Sequence, residues 1–298
     1  MSLTSVHSES SVCTGTLPFS ITGGEEVVSE ILLGGQSFLW DKAGQNCWVG
    51  VQERKVFRLV LGSDNRLNWG CLSGPSSEAC ASIESLFAVS TDFEELTDRL
   101  PWRSDFLLQS AIQNFMGLRI LRQDCGVILL SFLLSPLKRI DQIREGLRSL
   151  SKRWGDPLGS GFHAPPEWST LKEVPEKELR ECGIGYRARS IHKTSKVLAA
   201  KPCFLEEMEE KSTAEARKGL MTLPGVGRKI ADCVLLFGLG RLEAFPIDTW
   251  IHRFLVEEYQ LTDYSENQLQ TFAAAHFGMS AGFAQQFLFA HARKNLAQ

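Results

Sequence analysis

The 298-residue sequence predicts an α+β protein, with an N-terminal antiparallel β-sheet domain followed by an all-helical domain. Three observations carry this reading. The chain is long for a single hydrophobic core, its apolar periodicity changes near residue 108, and a glycine-rich turn at 223–229 separates two helical patterns. A content of 43% hydrophobic and 22% charged residues is that of a folded globular protein.

Residues 1–18 are rich in Ser and Thr and read as a flexible tail. Residues 19–107 read as strands and turns. In "CWVGVQERKVFRLVLGSDNRLNWG" the runs Trp48, Val49, Val51 and Val56, Phe57, Leu59, Val60 are broken by Gly62, Asp64 and Asn65. "SSEACASIESLFAVS" reads as a helix beside that sheet. Over 108–298 the segments "SAIQNFMGLRIL", "CGVILLSFLLSPLKRIDQIREGLRSLSKRW", "STAEARKGLMTL" and "NQLQTFAAAHF" favour helices, and Pro136 splits the long one.

The formal net charge of −3 and a pI near 6.1 mean that a polyanionic partner must be met by local rather than global positive charge. The eight cysteines, at 13, 47, 71, 80, 125, 182, 203 and 233, contain no Cys-x-x-Cys pair, which argues against a zinc knuckle. None follows Cys233, so no C-terminal iron–sulfur loop is expected. The scatter suits free thiols in a reducing compartment. The start has no apolar leader core and no later stretch reaches membrane-spanning length, so we expect an intracellular protein without a membrane partner.

"LPGVGRKIADC" (223–233) follows one helical segment and opens another, a helix–hairpin–helix pattern. Gly225 and Gly227 are able to take left-handed angles, and their backbone N–H groups suit a phosphate. The plain alternative is a Gly-rich connector. Lys229 is an odd choice for a first helical turn, where the macrodipole favours acids. Desolvation there favours the neutral amine, a nucleophile able to form a Schiff base, and Cys233 lies one turn further along the same face. An exposed lysine and a buried small cysteine are the plain alternative. In "FPIDTW", Asp248 precedes a new apolar-periodic segment. It reads as an N-cap, or as a carboxylate facing Lys229 that stabilises developing positive charge, and the two roles are compatible.

These stretches resemble the helix–hairpin–helix (HhH-GPD) DNA glycosylases, and more narrowly the 8-oxoguanine DNA glycosylase/AP lyase branch. The resemblance runs from about Leu32 to Lys294. It adds "GGQSFLW" (34–40), "FMGLRILRQDC" (115–125), "GIGYRARSI" (183–191) and "AGFAQQFLF" (281–289) to the hairpin and the aspartate segment. It implies excision of 8-oxoguanine from duplex DNA followed by β-elimination, with Lys229 and Asp248 catalytic. It also implies a base pocket of Gly35, Cys233, Gln285 and Phe289, in which the Gly35 carbonyl accepts from N7–H of the lesion.

The resemblance further assigns DNA contacts to Tyr186, Arg187, Arg189, Gly225, Val226, Gly227, Arg228 and Trp250. The carbonyls of Met221, Leu223 and Val226 are candidate ligands for a K⁺ or Na⁺ ion, with no other cofactor. An alkylated-base glycosylase normally lacks the lysine, and a non-catalytic DNA-binding module would leave Lys229, Asp248 and the Gln285/Phe289 pair without a purpose. Leu137, Lys138 and Arg139 stand where eukaryotic members carry a run of asparagines, and Trp250 where they carry a histidine. These departures point to a bacterial member acting at the nucleoid; a eukaryotic one would act in the nucleus, and in either case a monomer is expected.

Overall fold

In the computed structural model, residues 13–74 and 76–296 are described. Strands β1 (Cys13–Ser20), β2 (Trp40–Gly44), β3 (Cys47–Gln52), β4 (Lys55–Leu61) and β5 (Arg66–Ser73) form one antiparallel sheet in the order β1-β5-β4-β3-β2. The expected turn at 62–65 is present, with Asn65 at φ 59°. The β3–β4 turn lacks the usual Asn-Gly signal and instead puts Glu53 and Arg54 at φ 45° and 60°. Both are tied down: Glu53 accepts from Ser82 Oγ at 2.6 Å, and Arg54 pairs with Asp156.

The tail expected over 1–18 is corrected where it can be seen. Its first twelve residues lie outside the described ones, and the rest belongs to β1, with Cys13 opposite Cys71 and Thr16 opposite Asn68. An edge strand needs few apolar residues, and only Leu17 is fully buried here, so composition hid it. A second correction is the helix Gly24–Leu33, which the strand reading of 19–107 did not contain. Its i,i+4 pairs Val27/Ile31 and Val28/Leu32 are all buried against the sheet domain's core. A third concerns "SAIQNFMGLRIL": the helix Phe106–Asn114 ends early and crosses the proposed 107/108 boundary. Gly117 at φ 89° turns the chain, and the extended stretch beyond it bridges Leu86 O and Phe237 O through the N–H groups of Arg122 and Gln123.

The long apolar segment splits as expected, into Cys125–Leu133 and Ile140–Trp154 on either side of Pro136. Ala79–Leu86 forms the helix expected in "SSEACASIESLFAVS", Phe93–Arg99 follows it, and the longer helices after Trp154 are Arg187–Ala200, Phe204–Glu210, Thr213–Leu220, Arg228–Phe237, Thr249–Glu257, Glu266–Phe277 and Ala281–Leu296. Among the described residues no helix is long and apolar enough to cross a membrane.

One hydrophobic core runs through both regions, as in the contacts of Phe38 with Phe132 (5.5 Å) and Phe93 with Phe283 (5.2 Å). Gln36 of the "GGQSFLW" stretch fastens the two together. It is buried, donates through Nε2 to Arg119 O at 2.9 Å and accepts from Leu121 N–H at 2.9 Å, while its own carbonyl accepts from Gln123 Nε2 at 2.9 Å. Arg119 in turn lies between the rings of Phe19 and Phe93, and its burial pulls the guanidinium down to about 10. Gln36→Ala leaves a buried carbonyl and a buried N–H unpaired. It should therefore lower the unfolding free energy by about 2–4 kcal/mol in denaturant titrations.

Candidate active site

Helix Thr213–Leu220 starts at a reciprocal Ser212/Glu215 cap and ends in the turn that leads to helix Arg228–Phe237. Gly225 is required twice over in that turn. Its φ is +84°, and a Cβ there would lie 2.4 Å from Ser190 Oγ on helix Arg187–Ala200. That helix also donates from Thr194 Oγ1 to Pro224 O at 3.0 Å, so it braces the hairpin from behind. Gly227 corrects the expectation of left-handed angles at both glycines. It is extended, at φ −91° and ψ −178°, and a Cβ there would meet nothing within 4 Å. No side chain caps the helix that follows, whereas Asp92, Asp105, Asp124, Ser212, Asp248 and Ser265 cap others. The first N–H groups of the lysine-bearing helix therefore lack a side-chain acceptor.

Beyond this turn opens a cavity of about 1100 Å³, lined among others by Gly35, Gly227, Arg228, Lys229, Cys233, Asp248, Trp250, Gln285 and Phe289. Lys229 is half-buried. Its Nζ donates to Ser135 Oγ at 3.2 Å and stands 4.7 Å from the Phe132 ring centroid, which is stacked on Phe237 at 5.7 Å. Across from it, Asp248 caps helix Thr249–Glu257, with Oδ1 accepting from Ile251 N–H at 2.9 Å. Burial raises its carboxyl above its ordinary value, while the Ile251 N–H and the charge of Lys229 oppose the rise. Asp248 is thus the expected N-cap and lines the same cavity as Lys229.

Cys233 is fully enclosed, and burial pushes its thiol up to about 12 despite the nearby Lys229, so it forms a neutral wall. Gln285 is oriented by donation from Nε2 to Pro246 O at 3.0 Å and by acceptance from Gln286 Nε2 at 2.6 Å. Gly35 sits at φ +116°, and a Cβ there would fall 3.2 Å from Ile140 Cδ1 and 3.7 Å from the Phe289 ring. Gly35 and Phe289 therefore pack side by side in one wall of the cavity.

The remaining expected residues lie outside the cavity. Tyr186 is 53% exposed, its hydroxyl 3.5 Å from Pro136 O at the rim. Arg187, expected to reach a base on the opposite strand, is only 5% exposed. It donates to the carbonyls of Ile184 and Pro136 and packs on the Tyr186 ring, so here it braces the rim. Arg189 is exposed, Gly225 is exposed on the turn, and Val226 is buried beneath it. Leu137 sits on the rim at φ 56° with 92% of its surface exposed, between Pro136 and Lys138, which also line the opening. An apolar side chain held out in this conformation has no folding rationale.

Sequence reasoning missed Ser135 and Phe132, which looked like ordinary members of an apolar run. It also missed Arg293, although the spacing 285, 289, 293 places all three on one helical face.

Residues 20–126 match the family model described as the 8-oxoguanine DNA glycosylase N-terminal domain. The chain is 31% identical to the N-glycosylase/DNA lyase OGG1 of Arabidopsis thaliana, over 93% of this chain and 80% of that protein. It is 29% identical to a probable N-glycosylase/DNA lyase of Methanothermobacter thermautotrophicus, over 74% of this chain and 77% of that one. Its fold superposes with a TM-score of 0.85 on the crystal structure of Clostridium acetobutylicum 8-oxoguanine glycosylase/lyase in complex with duplex DNA containing cytosine opposite the lesion. That pair is 28% identical, and the match covers 96% of this chain and 99% of the other. The overall fold is thus that of a solved 8-oxoguanine glycosylase/lyase, and the chain belongs to the 8-oxoguanine DNA glycosylase family.

Proposed function

We infer that the protein excises 8-oxoguanine from duplex DNA and then opens the resulting abasic site by β-elimination. The observation that carries this reading is that Lys229 and Asp248 line one cavity together with Gly35, Cys233, Gln285 and Phe289. A base in a duplex can reach such a cavity only by leaving the stack.

In this reading the Lys229 nitrogen bonds to C1′ as the bond from C1′ to the base breaks, its electron pair leaving with the purine. The nitrogen loses a proton, and opening of the sugar ring gives a Schiff base. Loss of a C2′ proton then expels the 3′ phosphate. Asp248 faces the positive charge that builds on the sugar, and its fixed N-cap geometry means it need not reorganise as that charge appears. Gln285 meets the base's Watson–Crick edge, Phe289 and Cys233 cover its two faces, and the Gly35 carbonyl accepts from N7–H, which guanine lacks. A buried polar contact of this kind discriminates by roughly 10⁴-fold or more.

The DNA face is continuous through contacts already described: hairpin to helix Arg187–Ala200 through Ser190 and Thr194, and Tyr186 to Pro136 at the rim. The open N–H groups near Gly227 suit a backbone phosphate, with Arg228 and Trp250 beside them. Arg189, Lys193 and Lys196 project from one side of the bracing helix, and among the described residues none of them forms an ion pair. Leu137 takes the place in the duplex that the extruded base leaves, a gap an apolar wedge fills without reading sequence. The carbonyls of Met221, Leu223 and Val226 would hold a monovalent cation. Among the described residues no backbone N–H donates to those of Met221 and Val226, which supports the fit, and such an ion would add positive charge beneath a phosphate. An enzyme of this kind works, as a monomer, where the chromosome is: in a bacterium, the nucleoid.

Borohydride added during reaction with a duplex carrying 8-oxoguanine opposite cytosine should trap a covalent adduct, and Lys229→Gln should abolish it; a persisting adduct would remove Lys229 from the mechanism. Asp248→Asn should slow excision about 10²–10³-fold while the DNA dissociation constant stays near wild type. Because burial raises the Asp248 pKa, the wild-type single-turnover rate should fall on acidification at a higher pH than an unperturbed aspartate would set, and the asparagine variant should lack that limb. Lys193→Ala combined with Lys196→Ala should weaken binding to damaged and undamaged duplexes alike and reduce the slope of log K against log salt by about 1–2.

A further inference from the structure

The run Leu33–Gln36 carries four carbonyls, and three of them are taken by side chains of the helical region. Arg144 Nη2 donates to Leu33 O at 3.2 Å, Arg293 Nη1 to Gly34 O at 2.6 Å and Gln123 Nε2 to Gln36 O at 2.9 Å. Among the described residues no donor reaches the fourth, Gly35 O. Arg293 does more than fill one of these places. The same Nη1 pairs with Glu30 Oε1 at 3.0 Å, and the guanidinium carbon lies 5.4 Å from the centroid of Phe289, the ring beside Gly35. Glu30 is largely enclosed. Burial raises its carboxyl, the Arg293 charge opposes that rise, and a Cβ on Gly34 would strike its Oε1 at 2.2 Å. One half-buried cation therefore touches both the Gly34–Gly35 turn and the Phe289 ring.

We propose that Arg293, held by Glu30, is the positioning residue for lesion recognition: it locks the Gly34–Gly35 turn and the Phe289 ring at the spacing that leaves the Gly35 carbonyl free for the base. The proposal rests on the 8-oxoguanine reading and deepens it. Guanidinium geometry suits the task, since a rigid planar fork holds a carboxylate and a carbonyl while its face lies on a ring. Displacement of the carbonyl by about an ångström is enough to cost a positioned reaction up to about 100-fold.

The test compares wild type with Arg293→Met, Arg293→Lys and Glu30→Gln in three measurements: single-turnover excision of 8-oxoguanine opposite cytosine, incision of a preformed abasic site, and amide hydrogen exchange across 33–37. Abasic DNA presents no base, so its cleavage needs the amine but not the base pocket. We expect Arg293→Met to slow excision about 10- to 100-fold, to leave abasic-site incision near wild type and to speed exchange in 33–37, with Arg293→Lys recovering part of the loss. Equal slowing of both reactions would mean that Arg293 acts through the charge felt by Asp248, and would overturn the proposal. Unchanged excision or unchanged exchange would overturn it as well. If Arg293→Met does not fold, Glu30→Gln is expected to give the same pattern in milder form. A wild type that incises abasic DNA but spares 8-oxoguanine would refute the substrate reading instead, with the exchange data still deciding whether the lock exists.

Discussion

The site depends on keeping a carboxylate charged while it is partly withdrawn from water. Asp248 meets this with two partners of different kinds: the N–H of Ile251, a fixed dipole from its own helix, and the charge of Lys229. Burial raises the carboxyl, both partners oppose that rise, and the cap fixes its geometry. Phe132 and Phe237 then give the amine an apolar floor, and Ser135 its one side-chain hydrogen bond.

A site of this kind needs rigid walls, and the fold supplies them by letting one core run through sheet and helices. Helix Arg187–Ala200 approaches the hairpin so closely that only a glycine fits at 225. Gln36 satisfies three buried polar groups across the junction at once. These contacts carry little binding energy of their own, but each is costly to leave unmade, and this makes the arrangement specific.

Much of this was legible in the sequence where a local rule was broken or a spacing repeated. Lys229 stood out because it contradicts the helix dipole and Asp248 because a cap preceded an apolar face, whereas Gln285 and Phe289 came from the family resemblance, their spacing of four showing only that one helical face presents both. What escaped was set by tertiary partners. Cys13–Pro18 has the composition of a tail and becomes a strand only because β5 offers it a ladder. Glu53 and Arg54 form a tight turn with no turn residue because Ser82 and Asp156 anchor them. Arg187 has the look of a surface contact, yet carbonyls two segments apart draw it inward. The exposure of Leu137 belongs to a loop whose conformation no pattern announces.

The cavity is assembled from two stretches far apart in the chain: Gly35 comes from the sheet domain, and Lys229 and Asp248 from the helical one. Substitutions near residue 35 and substitutions around the hairpin therefore reshape different walls of the same cavity, and selection can remodel one wall while the other is inherited unchanged.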